Sequence, residues 1–214
     1  MARKQIEKSE IIHAQLALLI AIVLQMTLSQ SLVVGPKYII AGLEILLIFG
    51  IGLTRQKNHD QAYRLRRDFS LVLIALISFA NATSMFLVAR GLITGIDISG
   101  KTLIASAGAI FITNIIIFSL WYWELDSPGL TGIQSHNSKP KFDFPQMESK
   151  IPDNKNWEPG YSDYLYLSTT NATAFSPTDT MPLTHNAKFL MGIQSLISLV
   201  AVVLVTARAV NILG

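Results

Sequence analysis

The chain has 214 residues, of which 50% are hydrophobic and only 14% charged, a balance that belongs to lipid rather than to water. It contains no cysteine, which excludes a disulfide framework, thiolate metal sites and a cysteine nucleophile and makes redox chemistry an unexpected role. The net charge of +3 does not point to nucleic acid, because the basic residues cluster beside hydrophobic segments, where such charges set membrane orientation.

A helix crosses the roughly 30 Å hydrocarbon layer with about 20 apolar residues. The basic head, residues 1–10, carries Arg3, Lys4 and Lys8, and a first span follows at 11–34, ending at the turn signal Gly35-Pro36-Lys37. That run is too long for a signal-peptide core of about 7 to 15 residues, and no A-x-A-like site follows it. The second span, 38–54, is short and contains Glu44. A basic stretch with Arg55, Lys57, Arg64, Arg66 and Arg67 leads to a third span at 69–89, and a fourth at 101–123 ends in Trp121-Tyr122-Trp123-Glu124-Leu125-Asp126. Aromatic rings prefer the headgroup level, so this cluster marks a bilayer boundary. Residues 125–162 form a polar loop rich in Pro, Gly, Asn, Ser, Lys and acids, and the last span is expected at 187–213, with Arg208 near its end.

The expected fold is therefore all-α: a polytopic membrane protein with four spans in 11–124, an aqueous loop at 125–162, and a final unit at 163–214. Lys and Arg of short loops stay inside, so the head and the loop after the second span both belong on the cytoplasmic side of a cell membrane. Two crossings separate them, which is self-consistent. Five crossings then put the carboxy terminus outside and the long loop inside.

No enzyme signature is present: H-E-x-x-H, G-x-S-x-G, a P-loop and G-x-G-x-x-G are all missing, and His13, His59, His136 and His185 are scattered. Asp143, Glu148, Asp153 and Glu158 read as a solvated acidic loop rather than a catalytic acid and base, and Trp157 and Tyr161 as contacts with the membrane surface or a neighbouring helix. Neither an enzyme activity, a cofactor nor a metal is expected. Within the spans, the polar residues are Glu44, Asn81 and Asn114. An ionisable side chain at membrane depth faces a bundle interior or a water-filled cavity, which makes Glu44 either a functional group or a carboxyl held neutral or paired for structure. Asn81 and Asn114 suit interhelical hydrogen bonds, each worth about 0.6 to 2 kcal/mol. The sequons Asn81-Ala-Thr and Asn171-Ala-Thr are read as chance matches.

The final quarter contains Tyr161-Ser-Asp-Tyr-Leu-Tyr-Leu-Ser-Thr-Thr-Asn-Ala-Thr-Ala-Phe-Ser-Pro-Thr-Asp-Thr-Met-Pro-Leu-Thr184 and then Ala187-Lys-Phe-Leu-Met-Gly-Ile-Gln-Ser-Leu196. Over about fifty residues it resembles the pore loop and inner helix of the potassium-channel superfamily. Asp163 and Tyr166 match the opening of the pore helix, Thr173 the first filter threonine, Asp179 the filter aspartate, Pro182 and Thr184 the turn, and Lys188 the basic residue at the start of the inner helix. Nearly the whole chain also looks like a group of bacterial membrane proteins of unassigned function, through W-Y-W-E-L-D and N-A-T-A-F-S-P-T-D. The resemblance implies a re-entrant helix over 163–174, a filter-like segment Thr173, Ala174, Phe175, Ser176, Pro177, Thr178 and Asp179, a homo-oligomer that is tetrameric if channel-like, and an inorganic ion as ligand.

Between Thr173 and Asp179 both filter glycines are replaced, and Pro177 stands at the aromatic's position. A potassium filter aims successive carbonyls at the ion and uses glycine where the backbone needs restricted angles, whereas proline fixes its own angle and constrains the serine before it. Potassium selectivity is not expected. Potassium channels place this loop outside, whereas the basic residues here place it inside, as in the inverted pores of glutamate receptors. The expected function is a channel-like membrane protein, with a non-conducting structural or partner-binding protein as the alternative. A secondary transporter built around Glu44 ranks last, because the chain has no internal repeat.

Overall fold

The computed structural model describes residues 3–5, 8–54, 60–94, 99–126, 133–135, 140–148, 157–175 and 179–213. Arg55, Lys57, His59, His136, Asp153, Ser176, Pro177 and Thr178, named above, lie outside the described residues, as do the side chains of Arg3, Lys4, Lys8, Lys37, Arg64, Arg66, Glu148 and Arg208.

The protein is mainly helical. In chain order it comprises strand β1 (Arg3–Gln5) and helices α1 (Lys8–Thr27), α2 (Lys37–Thr54), α3 (Asp60–Thr94) and α4 (Gly100–Asp126). Strands β2 (Ile133–Ser135) and β3 (Phe142–Asp143), helices α5 (Pro145–Glu148) and α6 (Tyr161–Ala174), strand β4 (Met181–Pro182) and helix α7 (His185–Leu213) follow. Among the described residues four segments are long and apolar enough to cross a membrane: Ser9–Thr27, Arg67–Leu92, Gly100–Asp126 and His185–Thr206. This is a membrane protein. Helix α2 stands apart from those four, with 18 residues and Glu44 buried near its middle.

Boundaries differ from expectation where polar chemistry intervenes. The first helix stops at Thr27 rather than running to Val34, and Gln30–Leu32 form a single 3₁₀ turn. Here side chains satisfy backbone and one another locally: the Thr27 hydroxyl donates to Leu24 O at 2.6 Å, Ser29 and Ser31 hydroxyls pair at 3.0 Å, and Gln30 Nε2 donates to Gly35 O at 2.7 Å. Such local bonds offer the chain an alternative to the helix. Gly35, at φ 81, then makes the turn that only glycine adopts without strain. In contrast, α3 has 35 residues and begins nine before the expected span, because 60–68 contains neither Pro nor Gly to stop it. At 1.5 Å per residue it is about 50 Å long, so its basic end projects past the hydrocarbon layer.

Helix α4 is the centre of the bundle. Of its most apolar window 61% is buried, against 33%, 39% and 22% for the spans in α1, α3 and α7. It packs on α1, α3, α6 and α7. Helix α1 presents Ala14, Ala17 and Ala21 at helical spacing, and such small residues let transmembrane backbones approach closely. Leu18, Leu73, Ile74, Ile77, Ile117 and Leu120 complete the main core, and a second cluster around Leu32, Val88, Leu103 and Ile110 closes the opposite end. The outward faces keep Phe79, Phe86, Phe189 and Leu196 exposed, as lipid contact requires.

One end of the bundle gathers the start of α1, the end of α4 and the described part of the long loop. β1 pairs antiparallel with β2, Arg3 opposite Ser135, and β3 pairs antiparallel with β4, Phe142 opposite Pro182. Composition alone makes this loop aqueous, yet Phe142 and Phe144 are buried. Their rings meet Tyr122 at 5.3 Å, Tyr164 at 6.3 and 5.4 Å, and Trp157 at 5.9 Å. The loop folds back as an aromatic cover over the ends of α4 and α6. The described parts of the head and of the long loop thus share one end of the bundle.

Candidate functional site

Helix α6 begins at Gly160, whose backbone is extended. The Asp163 carboxylate accepts the Gly160 N–H at 2.8 Å, and Glu10 of α1 accepts the Tyr161 N–H at 2.5 Å, so two amides at the helix start are met by carboxylates, which also suit the positive end of the helix dipole. A Cβ at position 160 would lie 2.6 Å from Glu10 Oε2, so a side chain there would displace the Glu10 carboxylate from its place against the helix start. Burial raises the Asp163 carboxyl above its ordinary value; the Gly160 amide works against this and the neighbouring Glu10 charge adds to it. Tyr161 is pushed up to about 12, chiefly by burial, with its hydrogen bond to Ser119 opposing.

Fourteen residues give α6 a length of about 21 Å, short of the roughly 30 Å hydrocarbon layer. Both ends of the segment are tied to the same end of the bundle. Tyr164 O–H donates to Asp126 Oδ2 at 2.7 Å, and Lys141 N–H donates to Asp126 Oδ1 at 2.6 Å. Lys141 Nζ also donates to Leu125 O. On the return, Leu183 N–H donates to Lys141 O at 2.8 Å just after β4 meets β3. The chain thus enters α6 and comes back to start α7 beside the last turn of α4.

The inner face of α6 is a closed polar network between α4 and α7. Tyr122 O–H donates to Gln194 Oε1 at 2.5 Å. Asn171 Nδ2 donates to the same oxygen at 2.9 Å, to Met191 O at 3.0 Å and to Tyr122 Oη at 3.3 Å. Gln194 Nε2 donates to Ser168 O at 2.9 Å and Ser168 Oγ at 2.7 Å, while Ser168 Oγ donates to Ile115 O at 2.6 Å and Ser195 Oγ donates to Asn171 Oδ1 at 3.3 Å. Ser168, Asn171 and Gln194 are buried, and Gln194 bonds to both of the other two.

The outer face is different. Tyr166, Thr173, Ala174 and Phe175 are exposed, and Thr169 and Thr170 partly so. The hydroxyls of Thr169, Thr170 and Thr173 donate back to carbonyls of their own helix, at 2.7 Å to Leu165 O, 3.0 Å to Leu167 O and 2.8 Å to Thr169 O. Their hydrogens are engaged, so this face presents hydroxyl oxygens as acceptors. Phe175 ends the helix in the left-handed region, at φ 54 and ψ 23, where glycine is the usual residue. Beyond the undescribed Ser176, Pro177 and Thr178, Asp179 is exposed and its Oδ1 accepts from the Thr180 hydroxyl at 3.3 Å.

The three polar residues expected inside the spans are not brought together with this segment into one site. Asn114 Nδ2 donates to Ser198 Oγ of α7 at 3.1 Å, and Asn81 Nδ2 donates to Ile110 O of α4 at 3.3 Å; both bonds join two helices. Glu44 is wholly buried, and among the described residues neither of its oxygens has a hydrogen-bond partner. No group of three metal-ligating side chains converges among the described residues. Gln194, Ser168 and Tyr122, the heart of the inner network, are not singled out by sequence reasoning. A signal was present in Gln194 and Ser198, two polar residues four apart in an apolar span and so on one helix face. No protein-family model, curated protein or solved structure matches the chain.

Proposed function

We propose that this chain is a subunit of a channel-like membrane oligomer in which α4, α6 and α7 form a pore-loop unit that is not selective for potassium. The observation that carries the reading is the short helix α6, which starts and returns at one end of the bundle and leaves Tyr166, Thr173 and Asp179 uncovered by the rest of the chain. Irregular backbone at membrane depth is tolerated only where it is buried in protein or lines water. Copies arranged around an axis meet that condition, with the threonine face of α6 toward the axis. Following the resemblance in the final quarter, four copies make the ring and an inorganic ion is what passes. Helix α2 is the fifth crossing and α6 a sixth, non-crossing helix. The head and the long loop lie on the cytoplasmic side of the cell membrane, as the basic residues ask.

Purified protein in planar bilayers tests this. Single-channel currents are expected across varied ions and voltages, with Asp179→Asn and Thr173→Ala each altering conductance or ion preference at least twofold. Silence in all conditions sinks the reading.

A second reading has its own support: the network around Gln194 and Asn171 is closed within one chain, as a packing element would be. In that reading α6 braces α4 against α7 and its outer face receives a partner. A stable tetramer with a hydrated axial path argues against it.

A further inference from the structure

Helix α2 makes its main contacts with α1 and α3 rather than with the central α4. Leu43, Ile45 and Leu46 are exposed, whereas Ala41 and Glu44 are buried and Ile48 packs against the main core. Positions 41, 44 and 48 fall on one side of a helix. The Glu44 carboxyl, 0% exposed and with no hydrogen-bond partner for either oxygen among the described residues, is therefore held in the seam between α2 and its neighbours. Its level is set by Ala41, one turn away, which shares a cavity of about 10 Å³ with Gln25 of α1 and with Ala80 and Ser84 of α3. From Ala14 to Thr27 and from Phe69 to Ala89 those two helices carry no titratable side chain. The titratable groups that flank these stretches are His13, Asp68, Arg67 and Arg90, with Lys37 and Tyr38 on α2 itself. All stand at least six residues from the level of Glu44, about 9 Å along a helix axis.

An isolated carboxylate shut away from water is among the costliest groups to bury, and a proton removes that cost. A metal cation needs several oxygen ligands, and a hydrated ion needs more room than a cavity the size of one water gives. We propose that Glu44 is a proton-binding site that governs the seating of α2. With the proton on, the neutral carboxyl lies in the seam against α1 and α3. When the carboxyl O–H breaks, the proton passes to water and the electron pair stays on Glu44. The bare charge then draws water into the seam and lifts α2, which can move without unmaking the packing around α4. This site is separate from the α6 segment and does not depend on conduction.

The full chain in lipid nanodiscs is followed by infrared spectroscopy from mildly acidic to alkaline pH. The native protein shows the C=O band of a neutral carboxylic acid that is missing from Glu44→Gln, and this band fades as pH rises. Movement is read with Ala41→Cys, at a small buried residue one turn away, in a chain that has no other thiol. Its rate of modification by a water-soluble methanethiosulfonate, relative to that of the exposed control Val34→Cys, rises at least fivefold over the same pH range. Adding Glu44→Gln to Ala41→Cys leaves that relative rate flat, and so does adding Glu44→Leu, which also lacks the titrating group. Absence of a band assignable to Glu44, a band that does not change with pH, or a relative rate at Ala41→Cys that stays flat with Glu44 in place overturns the proposal. An equal rise with and without Glu44 overturns it as well.

Discussion

The two flanks of the bundle handle buried polarity in opposite ways. Toward α6 and α7, Tyr122, Ser168, Asn171 and Gln194 complete one another's hydrogen bonds. On α2 and α3, Glu44 keeps both oxygens without hydrogen-bond partners among the described residues, and Asn81 keeps one. Buried polar groups that are fully satisfied hold structure together, whereas unsatisfied ones cost stability and are kept for another reason. The first flank therefore reads as architecture, and the second as the place where a ligand or a proton would matter.

The same kind of substitution should have opposite signs on the two flanks. Gln194→Leu removes the hub of the α6 network and strands Tyr122 and Asn171, so it should lower unfolding stability by about 2 to 3 kcal/mol in mixed-micelle denaturation. It should also be non-additive with Asn171→Leu, because the two share bonds. Glu44→Leu removes a buried group with no hydrogen-bond partner among the described residues and should raise stability by about 1 to 2 kcal/mol in the same assay. Equal losses at both positions would erase the distinction between the flanks.

Smaller effects sharpen the account of the cover over α4 and α6. Tyr164→Phe deletes one of the two hydrogen bonds to the Asp126 carboxylate and should cost about 1 kcal/mol, with faster protease cleavage in the 127–160 loop. Asp163 contributes the smallest change. Its folded carboxyl holds a proton more tightly than the unfolded one, so its contribution favours folding below the ordinary value of 3.8 and is lost as pH rises through the raised value. Asp163→Asn should flatten stability measured across that interval, and an unchanged slope would remove Asp163 from the account.

Much of this was legible in the chain, and the limits have physical causes. The apolar helices at 69–89, 101–123 and 187–213 and the short helix at 163–174 were readable because apolar runs, charged boundaries and the Asp163 start leave direct marks; each observed helix is longer by a few residues, α3 by more. The pairing of β1 with β2 joins the head to the long loop, a contact no local feature of either segment announces. Hidden from the sequence were the long-range pairings. Nothing local in Glu10 says that it will meet Tyr161, 151 positions away, nor that Phe142 and Phe144 will turn a polar loop into an aromatic cover. Asn171 is indistinguishable in sequence from a chance sequon until Gln194 is beside it.

The central claim is that the chain enters and leaves the α6 segment on one side of the membrane. Since the protein has no cysteine, single cysteines report sidedness without background. Ser138→Cys, Asp179→Cys and Val34→Cys are to be labelled with a membrane-impermeant maleimide in sealed vesicles of known orientation. The account predicts that positions 138 and 179 react from the same side and position 34 from the other. Labelling of position 179 from the side opposite to 138 would show that α6 crosses the membrane, and would contradict it.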